Sequence, residues 1–145
     1  MGLQELLKNE LLISALMAWA AAQIIKMLIY AAMNHTLDFH RLVGDGGMPS
    51  GHSATVTAMA VTAGLEYGLA SSIFGIAAIM AIVVMHDAMG VRREAGKHAK
   101  ALNELLELAG SDVNNEVKLK EFLGHTPLQV ICGAVIGLIV AFLRH

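Results

Sequence analysis

The chain has 145 residues, enough for one domain, and its hydrophobic fraction of 56% and mean hydropathy of +0.60 are high for a soluble protein. Charged residues make up only 15% and the formal net charge is −2, with no basic stripe interleaved with aromatic residues, so we expect no nucleic-acid partner. The single cysteine, Cys132, excludes an intrachain disulfide.

Four apolar segments predict an all-α fold, an integral-membrane bundle of about four helices in a single domain that covers residues 1–145. They run from Leu11 to Met33, Ser53 to Leu69, Ile73 to Met85 and Pro127 to Leu143. The first is long enough to cross a bilayer and carries the basic Lys26, whereas the others are short for a span of roughly 20 residues. The alternative is an unusually apolar soluble bundle that binds an oxyanion.

The polar segments add one helix to this bundle. Residues 2–10 could open an amphipathic helix, and the N-terminus lacks a cleavable signal sequence, so we expect the first apolar segment to remain in the mature protein. Residues 86–124 form a long polar region. Within it, residues 92–109 are predicted to form an amphipathic helix that ends at Gly110 as a C-cap.

The last apolar segment carries signals for its start and for its packing. Thr126 has the residue type of an N-cap, and Pro127 suits the first helical position. Gly133 and Gly137 form a small-xxx-small pair, which indicates close helix packing either within the chain or in a homo-oligomer.

The distribution of basic residues predicts the orientation in the membrane. With four spans, residues 34–52 and 86–124 lie on one side, and both termini lie on the other. The first side holds Arg41, Arg92, Arg93, Lys97, Lys100, Lys118 and Lys120, and the second holds only Lys8 and Arg144. The positive excess predicts that the first side faces the cytoplasm from the cell inner membrane.

Two histidines lie just before the starts of apolar segments on that same side. His52 follows a Pro-Ser-Gly turn, and His125 directly precedes the last helix. One imidazole can attack phosphorus while the other protonates the leaving oxygen. Ser50 and Gly51 lead into a helix N-terminus, which favours an anion, although a turn capped by a serine would have the same sequence.

Gln129 has two possible roles near the second histidine. It lies about one helical turn after His125 and could hold the tautomer of the imidazole. It also has capping-box spacing from Thr126, which would use the glutamine on backbone N–H groups instead. The nearby helix N-terminus disfavours the imidazolium, so we expect His125 to be a neutral nucleophile.

A basic cluster supplies candidate phosphate ligands. Arg93, Lys97 and Lys100 share a helix face beside Arg92, and a guanidinium fork suits phosphate oxygens. Asp87 could orient one of these cations. A solvated face, or a face attracted to anionic lipid headgroups, is the alternative. We expect no metal and no other cofactor, because no diagnostic spacing relates the conceivable ligands His52, His86, Asp87 and His125.

Two motifs resemble a known superfamily. The run from Pro49 to His52 resembles the second signature of the type-2 phosphatidic acid phosphatase and vanadium haloperoxidase superfamily, and the run from Gly124 to Gly133 resembles its third. The segments 46–56, 86–97 and 102–103 resemble, more closely, the small divergent branch of that superfamily, and this similarity covers residues 11–143.

The resemblance implies a membrane phosphatase whose substrate or ligand is a lipid phosphate or diphosphate. It makes His125 the nucleophile that forms a phosphohistidine and His52 the general acid. It makes Ser50 and the Gly51 amide ligands of the phosphate oxygens.

The chain departs from the superfamily pattern in three ways. The first signature, Lys-x6-Arg-Pro, is absent, the Ser-Arg pair before the third-signature histidine is missing, and Gln129 replaces an aspartate. Our hypothesis is that Arg92, Arg93 and Lys97 replace the lost cations. The alternative function is a non-catalytic membrane protein that binds phosphorylated lipids or serves as an assembly partner.

Overall fold

The computed structural model describes residues 2–35, 47–108, 119 and 124–145. Within these residues every regular element is an α-helix, which confirms the all-α prediction. The helices are α1 (Leu3–Leu6), α2 (Glu10–Asn34), α3 (Gly51–Tyr67), α4 (Ser72–Met89), α5 (Val91–Leu108) and α6 (Pro127–Arg144). The five long helices begin and end within a few residues of the predicted bounds. Residues 2–10 contain only the single turn α1, and Gly110 lies outside the described residues.

Polar side chains fix where the helices start. Asn9, Ser50, Ser71 and Thr126 each accept a hydrogen bond from the backbone N–H three residues further on. Each bond satisfies one of the donors that a first helical turn leaves unpaired. Pro127 occupies the start of α6, as predicted, where its missing N–H removes no helical hydrogen bond.

Helix α3 lies at the centre of the bundle and packs against α2, α4 and α6. Its buried residues are nearly all small, which lets the neighbouring backbones approach closely: Gly51, Ser53, Ala54, Val56, Ala58, Ala60, Thr62 and Ala63. One buried polar contact crosses to α2, where the hydroxyl of Thr62 donates to that of Ser14 at 2.9 Å. The pair satisfies both groups in an otherwise apolar interface.

Two glycines bring α6 into direct contact with the backbone of α3. A Cβ added at Gly133 would overlap the carbonyl oxygen of Ser50, and one added at Gly137 would overlap that of Ala54. The close packing predicted from this glycine pair is therefore realised within the chain.

The distribution of side chains is that of a membrane bundle. Among the described residues, three helical stretches are long and apolar enough to cross a membrane: Glu10–Asn34, Ser72–Leu108, which comprises α4 and α5, and Pro127–Arg144. The buried residues of α4 and α6 are mostly Ala and Gly, and large apolar side chains point outward: Ile76, Ile79, Ile82, Val83, Ile131, Val135, Leu138, Ile139, Phe142 and Leu143. Such a continuous apolar exterior fits hydrocarbon rather than water.

Replacing Gly137 with alanine tests the contact between α6 and α3. We expect Gly137→Ala to lower the free energy of unfolding by about 1–3 kcal/mol, because the added Cβ must displace the α3 backbone. Gly75→Ala is the matched control, since nothing lies within 4 Å of a Cβ at that position of α4. Circular dichroism during unfolding in detergent measures both variants, and equal stability of the two would contradict the proposed overlap.

Candidate active site at the helix ends

The ends of α3, α4 and α6 meet on one side of the bundle and are joined through backbone hydrogen bonds. The N–H of Ser50 donates to the carbonyl of Gln129 at 3.0 Å, which ties the start of α3 to the first turn of α6. The N–H of His125 donates to the carbonyl of Ala88 at 2.9 Å, near the end of α4. The two histidine-bearing segments are therefore positioned by main-chain contacts.

Gly124 brings the start of α5 to the same place. It has a φ of +81°, and an added Cβ would overlap the backbone of Arg93. Only glycine combines this backbone conformation with so close an approach. In the sequence, only the position of Gly124 directly before His125 indicates this role.

The structure brings the two candidate histidines together. The ring centroids of His52 and His125 are 6.1 Å apart, and the rings meet edge to face at 82°. His125 is buried, with 5% of its surface exposed, whereas His52 is exposed. One imidazole is therefore held inside the bundle, and the other can exchange protons with the outside.

Ser50 and Gly51 directly precede His52 at the start of α3. Ser50 is completely buried, and its hydroxyl oxygen accepts from the N–H of Ser53 at 3.3 Å and from the Ser53 hydroxyl at 3.0 Å. The capping role considered for Ser50 is thus realised. Because both bonds use the oxygen as acceptor, the hydroxyl proton of Ser50 is left to be donated.

Gln129 completes a capping box at the start of α6. Its Oε1 accepts from the N–H of Thr126 at 3.0 Å, while the Thr126 hydroxyl accepts from the N–H of Gln129 at 3.4 Å. Of the two roles considered for Gln129, the structure shows the cap. The side-chain oxygen is therefore directed to the backbone and not to the imidazole of His125.

The candidate cations differ in their acidic partners. The Nε of Arg92 donates to Asp87 at 2.8 Å, so Asp87 orients a basic residue as expected. The ammonium group of Lys97 lies 2.6 Å from Glu94. Among the described residues no carboxylate lies within ion-pair distance of the exposed Arg93, so its guanidinium has the least competition for an added anion.

Among the described helices, three N-termini lie at the site, against the single C-terminus of α4. α3 and α6 begin here, and Gly124 brings in the start of α5. Helix N-termini carry unpaired N–H groups and the positive end of the helix dipole, so together they favour a bound anion. Within the part of the chain that the structure describes, no three His, Cys, Asp or Glu side chains form a group that could hold a metal ion.

Two polar residues of α2, which no motif of the sequence singles out, contact the segment that leads into α3. The Gln23 side chain lies beside Gly51, and the Lys26 side chain runs past Gly47, where an added Cβ would lie 3.5 Å from its Cδ. Both residues are buried. Gln23 and Lys26 are three residues apart, so the sequence alone places both side chains on one face of an apolar helix.

These features define a helical membrane protein with a histidine pair at a cluster of helix N-termini. The chain matches the model of the Divergent PAP2 family over residues 7–140 and belongs to that family. It is 41% identical over 148 aligned residues, covering 94% of each chain, to a Bacillus subtilis (strain 168) protein called uncharacterized membrane protein YuiD. No solved structure matches the chain.

Substitutions at Gln129 test whether this residue acts through the helix cap. We expect Gln129→Ala to lower the free energy of unfolding by about 0.3–1.5 kcal/mol, because the N–H of Thr126 loses its acceptor. Gln129→Glu should keep wild-type stability, since glutamate serves equally in a capping box. Thermal unfolding in detergent compares the two variants; wild-type stability of Gln129→Ala would show that the cap contributes nothing.

Proposed function

We propose that this chain is a membrane phosphatase that hydrolyses a lipid phosphate or diphosphate through a phosphohistidine intermediate on His125. The observation that carries the proposal is the edge-to-face pair of His125 and His52. A nucleophile reacts from about 3–3.5 Å, and a general acid works at about 3 Å from its oxygen. Rings whose centroids are 6.1 Å apart can therefore reach the same phosphoryl group.

The two histidines would act in sequence. A ring nitrogen of His125 attacks phosphorus, the bond from phosphorus to the leaving oxygen breaks, and His52 gives its proton to that oxygen. Water then attacks phosphorus while His52 takes a proton from that water, and the bond from phosphorus to the His125 nitrogen breaks. Phosphate is released, His125 is free again, and His52 again carries the proton that it had given up. For a lipid diphosphate, the leaving group of the first step is the lipid monophosphate.

Positive electrostatics would supply much of the rate enhancement. Charge that develops on the phosphoryl oxygens would be stabilised by the N-termini of α3, α5 and α6, by the Ser50 hydroxyl and by the Gly51 amide. Arg93 is the cation best placed to contribute, while Arg92 and Lys97 would have to exchange Asp87 and Glu94 for the phosphate.

A non-catalytic protein that binds phosphorylated lipids is the second candidate. It is favoured by the capping role of Gln129, which takes the place of an aspartate that would orient the nucleophile. Such a protein would bind the phosphate at the helix N-termini and would not hydrolyse it.

We further propose that the site faces the cytoplasm from the cell inner membrane. Among the described residues, Arg92, Arg93, Lys97 and Lys100 lie on the side of the histidine pair, and Lys8 and Arg144 lie on the other. The excess of positive charge on the side of the site supports this orientation.

Phosphate release by the purified protein tests the enzymatic proposal. In detergent with EDTA, we expect turnover of long-chain lipid phosphates or diphosphates that falls to background in His125→Ala. His52→Ala should lose about 10²–10⁴-fold in kcat, because it lacks the proton donor for the leaving oxygen. Acid-labile radiolabel from a ³²P-labelled substrate should appear on the wild type and be absent from His125→Ala.

His98→Ala is the matched control, since His98 is an exposed histidine of α5 away from the pair. Its activity should equal that of the wild type. Full activity in His125→Ala would refute the assigned nucleophile. Wild-type protein that is folded and binds lipid phosphate without releasing phosphate would instead establish the non-catalytic candidate.

Cysteine labelling tests the proposed orientation. In a Cys132→Ala background, a thiol placed by His98→Cys should react with a membrane-impermeant maleimide in inverted vesicles and stay unreactive in intact cells. A thiol placed by Leu69→Cys, in the exposed turn at the other end of the bundle, should show the opposite pattern. Labelling of His98→Cys in intact cells would reverse the assignment.

A further inference from the structure

Helix α2 extends well beyond the site on the side of the histidine pair. At the opposite side the helices end together, because Arg144 contacts Glu10 and His145 lies 3.4 Å from Glu66. On the side of the site, α3 begins at Gly51, which packs against Trp19 and Gln23 near the middle of α2. Residues 24–34 of α2 therefore continue for about 16 Å past the start of α3.

This extension borders a cavity beside the candidate phosphate site. The cavity has a volume of about 220 Å³ and lies between α2 and the turn before α3, lined by Lys26, Ile29, Tyr30, Met33, Gly47 and Met48. Only Pro49 separates Met48 from Ser50 in the chain. The cavity is therefore close to Ser50, at the start of α3. We refer to it as the α2 cleft.

The walls of the α2 cleft are mainly apolar and suit a hydrocarbon segment. Ile29, Met33 and Met48 present hydrocarbon, whereas Lys26 contributes a basic side chain of which only 7% of the surface is exposed. The volume is below the 300–1,000 Å³ of pockets that enclose a whole ligand. The cleft therefore suits one segment of a larger molecule.

We propose that the α2 cleft binds the part of the lipid chain closest to the phosphate, while the phosphate itself lies at Ser50 and the histidine pair. This proposal rests on the proposed lipid-phosphate ligand. It explains why the apolar surface of α2 continues past the site, since the extension offers hydrocarbon contacts to a chain whose headgroup points toward α3. Ile29 and Met33 would then determine which chains are accepted.

Photo-crosslinking tests the position of the chain without requiring turnover. The probe is hexadecylphosphonate with a diazirine on the fourth carbon from phosphorus, added to the full-length protein in phosphatidylcholine nanodiscs. We expect labelling, competed by unmodified hexadecylphosphonate, at Ile29, Met33 or Met48. Labelling confined to the outer faces of α4 and α6 would overturn the proposal.

Filling the cleft supplies a second readout. Ile29→Trp should weaken binding of hexadecylphosphonate by about tenfold and leave methylphosphonate unchanged, because methylphosphonate has no chain that could occupy the cleft. Leu28→Trp is the matched control, since Leu28 is the exposed neighbour on the same helix and does not line the cleft. Met33→Trp replaces Ile29→Trp if the latter fails to fold. Equal binding by the cleft and control variants would overturn the proposal.

The outcomes separate this proposal from the enzymatic one. Labelling in the cleft without phosphate release would leave the chain site standing and refute the phosphatase. Phosphate release with labelling elsewhere would support the phosphatase and refute the chain site. Absence of competable labelling at any position would refute the chain site, whatever the activity.

Discussion

The contact between α6 and α3 at Gly133 and Gly137 is the constraint on which the rest of the structure depends. Because neither residue has a Cβ, the α6 backbone rests on the carbonyl oxygens of Ser50 and Ala54. That approach sets the height of α6 relative to α3, so that the N–H of Ser50 reaches the carbonyl of Gln129. The same height places the segment before α6, with His125, opposite the first turn of α3, with His52.

Local signals in the sequence predicted the helices because hydropathy and caps depend on neighbouring residues. Thr126 and Pro127 marked the start of α6, and the glycine pair indicated its close packing. The spacing of Gln129 could not decide between a cap and a partner for His125, because the same oxygen can reach either group. Only the geometry of the first turn showed that it accepts from Thr126.

Contacts between distant segments were beyond the reach of the sequence alone. Nothing in the residues around Gly124 says that this glycine lies on the backbone of Arg93, since the partner comes from another helix. Gln23 and Lys26 likewise looked like isolated polar residues in an apolar span. Their positions beside Gly51 and Gly47 follow from how α2 is aligned with α3, which is set by packing across the whole bundle.

Unequal helix lengths bear on how the proposed lipid ligand would reach the histidines. α3, α4 and α6 have 17 or 18 residues and extend for about 27 Å or less, whereas α2 has 25 residues and extends for about 37 Å. Since the ends opposite the site are level, the excess lies beside the histidine pair. A bilayer that covers the apolar surface of α2 must either thin over the shorter helices or rise above the site. In both cases the histidines would lie at the level of lipid headgroups or deeper, where the proposed lipid phosphate could meet them without leaving the membrane.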